Sequence, residues 1–143
     1  MTKIRPMISK KKEYYTTKHE FYVAYHFALQ YYEWKAERNS LVNLGTGGSD
    51  SEVQGNSISN PTERKGIKIA ELTAKIKMVE DSAAEADPVL AKWILDGVTH
   101  EDWSYNYLSA KLGMPCGKNM YYQTRRKFYY ILIKKLEEKY RKN

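Results

Sequence analysis

The sequence YNYLSAKLGMPCGKNMYYQTRRKF, residues 105–128, decides the fold of this chain. Leu108 and Leu112 lie four residues apart, which predicts a short helix with one apolar face. Gly113 can adopt the positive φ of a tight turn, and Pro115 prevents the first helix from continuing. A longer helix follows. The pattern therefore predicts a C-terminal helix-turn-helix, whose second helix enters the major groove of DNA.

The second helix of this motif has two chemically different faces. Six residues are predicted to face the core: Met120, Thr124, Phe128, Ile131, Leu132 and Leu136. Six others are predicted to contact DNA: Lys118, Asn119, Tyr121, Tyr122, Arg125 and Arg126. Arginine can bond guanine, asparagine can bond adenine, and Lys, Arg and Tyr can hold phosphates. The pattern favours double-stranded DNA as the partner, and a solvated basic helix is the alternative interpretation.

The net charge is concentrated at the C-terminal end of the chain. Residues 113–143 contain nine Lys or Arg and two Glu, whereas residues 1–112 contain fifteen basic and fifteen acidic residues. Residues 69–102 are acidic, with eight Asp or Glu and three Lys. A basic surface confined to one end indicates a polyanionic partner. The acidic segment is expected to face away from it.

Composition limits the class of protein. With 143 residues, 42% of them hydrophobic, the chain is long enough for one core. A single cysteine excludes an internal disulfide, and no apolar run reaches the length of a membrane span, so a cytoplasmic location is expected. Three scattered histidines, one cysteine and unpatterned carboxylates suggest no catalytic set and no metal site. The chain is therefore expected not to be an enzyme and to need no cofactor.

Three further helices are predicted before the motif, which makes an all-α protein of about five helices. The first runs from Thr17 to about Leu41 and opens with a capping box. Its predicted apolar face is mostly aromatic at the start: Phe21, Tyr25, Ala28, Leu29, Tyr32 and Ala36. Asn60-Pro61 starts a second helix that reaches about Ala86. Asp87-Pro88 starts a third, which ends near Gly97.

A stretch rich in glycine and serine separates the first two of these helices. Residues 43–60 include GTGGSDS and show no apolar periodicity, which predicts a flexible linker. The predicted organisation is therefore a Tyr-rich helical segment in residues 1–42, the linker in residues 43–60, and a helical domain in residues 61–143 that ends in the helix-turn-helix.

The second helix carries a short heptad seam. Its apolar residues step alternately by three and four: Ile69, Leu72, Ile76, Val79 and Ala83. Such a seam can pair with the first helix of the same chain or with a second subunit. The second alternative predicts a homodimer through residues 69–83.

The chain resembles the RinA-like and ArpU-like late activators of phages and prophages of Gram-positive bacteria. The resemblance rests on Tyr31-Tyr32-Glu33-Trp34-Lys35, on the linker closed by Ile58-Ser59-Asn60-Pro61-Thr62-Glu63, and on a C-terminal helix-turn-helix similar to sigma-factor region 4. It covers about residues 14–136, and the segment from Met114 to Met120 is one residue longer than the sigma-like pattern. The resemblance implies DNA binding and activation of phage late genes in a bacterial host cell, with RNA polymerase as a candidate partner.

Two other functions fit the same features. A packaging subunit of the small-terminase type also joins a helix-turn-helix to an oligomerising helix, and a ring-sized mass in solution would favour it. A protein-binding adaptor would use the Tyr-rich helix and the seam, and would bind DNA weakly and without salt dependence. A sequence-specific DNA-binding transcription regulator is the preferred interpretation.

Overall fold

The computed structural model describes residues 13–46 and 60–141, which form helices joined by short connections. The helices are α1 (Lys18–Leu29), α2 (Tyr31–Thr46), α3 (Pro61–Ala86), α4 (Ala91–Thr99), α5 (Tyr105–Leu112) and α6 (Lys118–Arg141). The predicted all-α class is confirmed, with one helix more in these ranges than the five expected. Residues 43–46 of the predicted linker belong to α2. Residues 47–59 lie outside the described part.

The segment that was predicted as a single helix from Thr17 to Leu41 forms two helices, because the helix is interrupted at Gln30. The predicted capping box is present: Thr17 Oγ1 accepts from the Glu20 amide at 3.2 Å, and Glu20 Oε1 accepts from the Thr17 amide at 3.0 Å. The backbone N–H of Gln30 donates to carbonyls of the last turn, including that of Phe27. No Pro or Gly marks this position in the sequence.

Two compact units divide the described residues differently from the predicted segments. One unit joins residues 13–30 with residues 78–141, and the other joins residues 31–46 with residues 60–77. The predicted boundaries at 42 and 60 therefore do not coincide with the units. The physical reason is that α1 packs against α6 and α4, far along the chain, instead of forming a separate N-terminal segment.

The smaller unit is built from α2 and the first part of α3. On α2 the side chains of Tyr31 and Trp34 are buried. The prediction placed Tyr32 on the apolar face instead, but its side chain is exposed. Leu72 and Ile76 are buried on the α3 side. The edges carry polar contacts: Arg38 Nη1 donates to Thr73 Oγ1 at 3.3 Å, and Lys68 pairs with Glu37 at 3.8 Å.

The larger unit has its core between α1, α4, α5 and α6. Phe21 of α1 meets the ring of Tyr129 on α6 with centroids 5.0 Å apart. The other fully buried large side chains of this unit include Ile94, Leu108, Phe128 and Leu132. Helix α4 contacts α1, α5 and α6, so it is the central support of this unit.

The heptad seam of α3 is covered within the single chain. Leu72, Ile76, Val79 and Ala83 are all at most 2% exposed, and Ile69 is half-buried. These side chains are therefore covered without a second subunit. The dimer contact predicted through residues 69–83 is not supported, because its apolar side chains are already buried.

Candidate nucleic-acid interface

The turn between α5 and α6 has the backbone that its glycine predicts. Gly113 follows the last residue of α5 with φ of 70° and ψ of 33°, the left-handed conformation that costs glycine least. The amides of Gly113 and Met114 both donate to the Leu108 carbonyl. These bonds satisfy the end of α5 and direct the chain toward α6.

Three contacts hold this turn against the rest of the larger unit. The indole Nε1 of Trp93 on α4 donates to the carbonyl of Leu112 at 2.8 Å. The hydroxyl of Tyr105 donates to the carbonyl of Cys116 at 2.7 Å. The side chain of Met114 is buried in the turn. The start of α6 is therefore fixed relative to α4 and α5.

The start of α6 differs chemically from the starts of α1 and α5. Thr17 and Ser104 cap those helices with hydroxyl oxygens. On α6 the Gly117 carbonyl accepts from the Tyr121 amide at 3.0 Å, so the cap position is a residue without a side chain. The first turn contains no acidic residue and begins with Lys118. A positive charge at a helix start is unfavourable, because it lies at the positive end of the helix dipole. With no carboxylate there, the free N–H groups of the first turn favour the binding of an anion.

The structure divides the six predicted DNA contacts into two groups. Lys118 and Asn119 are exposed, while Tyr122 and Arg126 are half-buried. Tyr121 and Arg125 are buried, with 0% and 4% of their surface exposed. The expectation that these two side chains face DNA is therefore wrong, because both point into the core of the larger unit.

Three buried residues of α6 with polar ends and one glycine of α4 form a polar cluster, which we call the Arg125 cluster: Tyr121, Arg125, Tyr129 and Gly97. Arg125 Nη1 donates to the Tyr121 hydroxyl at 2.6 Å, and Nη2 donates to the Gly97 carbonyl on α4 at 3.1 Å. The Arg125 Nε and the Tyr129 hydroxyl have no hydrogen-bond partner among the described protein atoms. No carboxylate of residues 13–46 or 60–141 pairs with this guanidinium. The cluster ties α6 to α4 through a desolvated cation.

Because of the tyrosines in this cluster, we expect the stability of the protein to fall at alkaline pH. Burial raises the pKa of Tyr121 to about 12, and it also raises that of Tyr129, although the Arg125 guanidinium opposes both shifts. Unfolded tyrosine titrates near 10, so the unfolded state loses protons first between about pH 10 and pH 12. The stabilising contribution is complete below about pH 10. Above it we expect the free energy of unfolding to fall, by about 1–3 kcal/mol for Tyr121.

Urea unfolding followed by circular dichroism from about pH 9 to about pH 12 would measure this loss. Tyr121→Phe removes one titrating hydroxyl and should make the decline shallower. Equal declines in both proteins would show that Tyr121 does not titrate with unfolding.

Two cations without ion pairs, one exposed and one half-buried, lie in the first part of α6. Toward its other end, Lys134 pairs with Glu137 at 3.9 Å and Lys135 pairs with Glu85 of α3 at 2.6 Å. Lys118 and Arg126 have no carboxylate within ion-pair distance among the residues that the structure describes. The first part of α6 therefore carries two cations that no described carboxylate neutralises.

The segment before α1 limits the open surface of α6. The ring of Tyr14 lies 5.6 Å from that of Tyr130, and the Lys127 ammonium lies 6.0 Å from the Tyr14 ring. Arg126 borders a small cavity with Tyr14, Thr16, Phe21 and Tyr129. The surface open to a partner therefore runs from about residue 118 to residue 126.

Gln123 was not among the predicted contacts, and the prediction that Met120 faces the core is wrong. Gln123 is exposed and lies four residues after Asn119, so helical spacing from Asn119 was the signal that could have found it. Met120 was predicted to face the core, but it is 51% exposed. Tyr121 occupies the core position instead, so the buried face begins one residue later than predicted.

Comparisons with known proteins identify no relative of this chain. No family model matches it, and no curated protein or solved structure does either. Among the described residues, none of the helices is both long and apolar enough to cross a membrane. In the same residues no group of three His, Cys, Asp or Glu side chains is arranged to hold a metal ion.

Proposed function

We propose that this protein binds double-stranded DNA through α5, the Gly113 turn and the start of α6, which together act as a helix-turn-helix. One observation carries the proposal. One face of the first turns of α6 is exposed, begins with Lys118 and carries no carboxylate, and these turns follow a turn that α4 holds in place. This arrangement suits the major groove, where the N-terminal residues of a recognition helix reach base edges.

Four of the predicted contacts remain in this proposal, each with its own role. Lys118 and Arg126 supply positive charge to phosphates. Tyr122 can donate its hydroxyl to a phosphate oxygen, and Asn119 can bond a base edge. Because the turn is fixed before binding, little ordering free energy is lost when the helix docks.

The biological role that we propose is regulation of phage or prophage genes in a bacterial cytoplasm. Support for this role is the resemblance to RinA-like and ArpU-like activators, together with the sigma-like order of helix, glycine turn and basic helix. RNA polymerase is then a candidate partner. A ring-sized assembly by sedimentation would redirect the proposal to a DNA-packaging subunit.

Salt dependence of DNA affinity tests the DNA contacts directly. We expect Lys118→Ala and Arg126→Ala each to weaken binding to any duplex, and to lower the slope of log affinity against log salt by about one unit. The reason is that each phosphate contact releases a counterion whatever the base. Fluorescence anisotropy of a labelled duplex at several salt concentrations measures both quantities.

A matched control lies on the same helix. Lys139 is exposed near the far end of α6, about 30 Å from Lys118 along the helix axis. Lys139→Ala removes the same charge but should leave the salt slope unchanged. If the wild-type protein binds duplex DNA weakly and without salt dependence, the proposal is wrong and the adaptor interpretation gains support.

A further inference from the structure

Two exposed amide side chains lie on one face of α6. Asn119 and Gln123 are four residues apart, so they are neighbours on the helix surface, about 6 Å apart along its axis. Neither side chain makes a hydrogen bond or an ion pair within the described ranges. Both amides therefore keep a free donor and a free acceptor for a partner.

The opposite face of α6 fixes the direction of these amides. Tyr121 and Arg125 are buried and hydrogen-bonded to each other, and Arg125 also donates to α4. The helix therefore cannot turn about its own axis without breaking the Arg125 cluster. Residues 103–136 contain no Asp or Glu, so no carboxylate of this segment opposes the approach of an anionic backbone.

The chemistry of an amide selects one base in the major groove. Asn and Gln bond adenine in bidentate fashion, because the side-chain oxygen accepts from N6 and the side-chain nitrogen donates to N7. An axial separation of about 6 Å matches roughly two steps of 3.4 Å along a DNA strand. Two amides at this spacing can therefore reach two bases in one groove.

We propose that Asn119 and Gln123 read two adenines, about two base pairs apart, within one half-site of the target DNA. This inference rests on the proposed function and adds which bases of the DNA the protein recognises. Lys118 and Arg126 flank the two amides and hold phosphates on either side. Sequence preference then comes from the amides, and general affinity comes from the cations.

Selection of bound sequences from random duplex DNA tests the inference. We expect the wild-type protein to enrich a motif with two adenines at this spacing. Asn119→Ala should remove the preference at one adenine and Gln123→Ala at the other, each with a loss of roughly 5- to 150-fold on the selected duplex. Binding to random DNA should change little.

A change of base preference is the sharper outcome. Gln123→Arg should replace adenine by guanine at one position, because arginine bonds guanine O6 and N7. Asn39→Ala serves as the control, since Asn39 is an exposed amide on α2, outside the proposed interface.

Two different results would overturn two different statements. If the protein enriches a motif that Asn119→Ala and Gln123→Ala both leave unchanged, the adenine inference is wrong and the proposed function stands. If the wild-type protein enriches no motif and shows no salt-dependent binding, the proposed function itself is wrong.

Discussion

Replacing Arg125 by alanine is expected to lower the free energy of unfolding by about 2–5 kcal/mol. The substitution leaves the Gly97 carbonyl and the Tyr121 hydroxyl without their donor, and each unsatisfied buried group costs about 1–3 kcal/mol. It also empties the volume of a side chain that is only 4% exposed. An exposed arginine replaced by alanine usually changes stability by less than about 0.5 kcal/mol. Chemical denaturation of the wild-type protein and of Arg125→Ala therefore shows whether the side chain of Arg125 is buried or exposed.

Arg125→Met is the informative companion variant. Methionine keeps most of the apolar volume and removes the desolvated cation, and such replacements of buried charges are often neutral or stabilising. We expect Arg125→Met to be more stable than Arg125→Ala by about 2 kcal/mol or more. If the two variants unfold at the same denaturant concentration, the packing of the Arg125 side chain contributes nothing.

The salt dependence of DNA binding distinguishes the role of Arg125 from that of Arg126. Arg125 is buried, so its charge makes no phosphate contact, and the folded Arg125→Met protein should keep the wild-type salt slope. Arg126→Ala should lower the slope by about one unit. A lowered slope in Arg125→Met would place the guanidinium at the DNA and would contradict its burial.

The elements of this fold that the sequence predicted well depend on short-range signals. The Thr17–Glu20 capping box, Asn60-Pro61 before α3 and the positive φ of Gly113 all involve residues within four positions of one another. Local hydrogen bonds and backbone preferences determine such features, so a pattern can reveal them.

The features that the sequence did not predict depend on contacts far apart in the chain. Tyr121 and Arg125 have polar ends, and they are buried because Arg125 reaches Gly97, 28 residues earlier. The sequence pattern favoured Met120 as the core residue, because its side chain is more apolar than that of Tyr121. The break at Gln30 is a similar case, because α1 and α2 bury their faces in different units.

Gly97→Ala is expected to destabilise the protein by about 2–3 kcal/mol, although alanine is the better helix former. Gly97 lies inside α4, where a Cβ atom would overlap the Tyr121 hydroxyl and lie 3.3 Å from Leu108 Cδ1. The ring of Tyr121 is fully buried and its hydroxyl is held by Arg125, so it cannot move aside cheaply. Gly66→Ala is the matched control, because Gly66 lies within α3 with no atom near its Cβ position. That substitution should stabilise by about 0.5–1 kcal/mol.

The hydroxyl of Tyr121 should account for most of the loss in Gly97→Ala. Removing it in the double variant Gly97→Ala, Tyr121→Phe eliminates the overlap, since the next ring atom, Cζ, lies 3.3 Å from the added Cβ. Each single substitution is expected to destabilise the protein, yet the double variant should be more stable than Gly97→Ala alone. Such non-additivity is the sign of direct contact between two side chains. If the two losses simply add, α4 and α6 are not packed through Gly97 and Tyr121, and the rigid support of the proposed recognition helix must lie elsewhere.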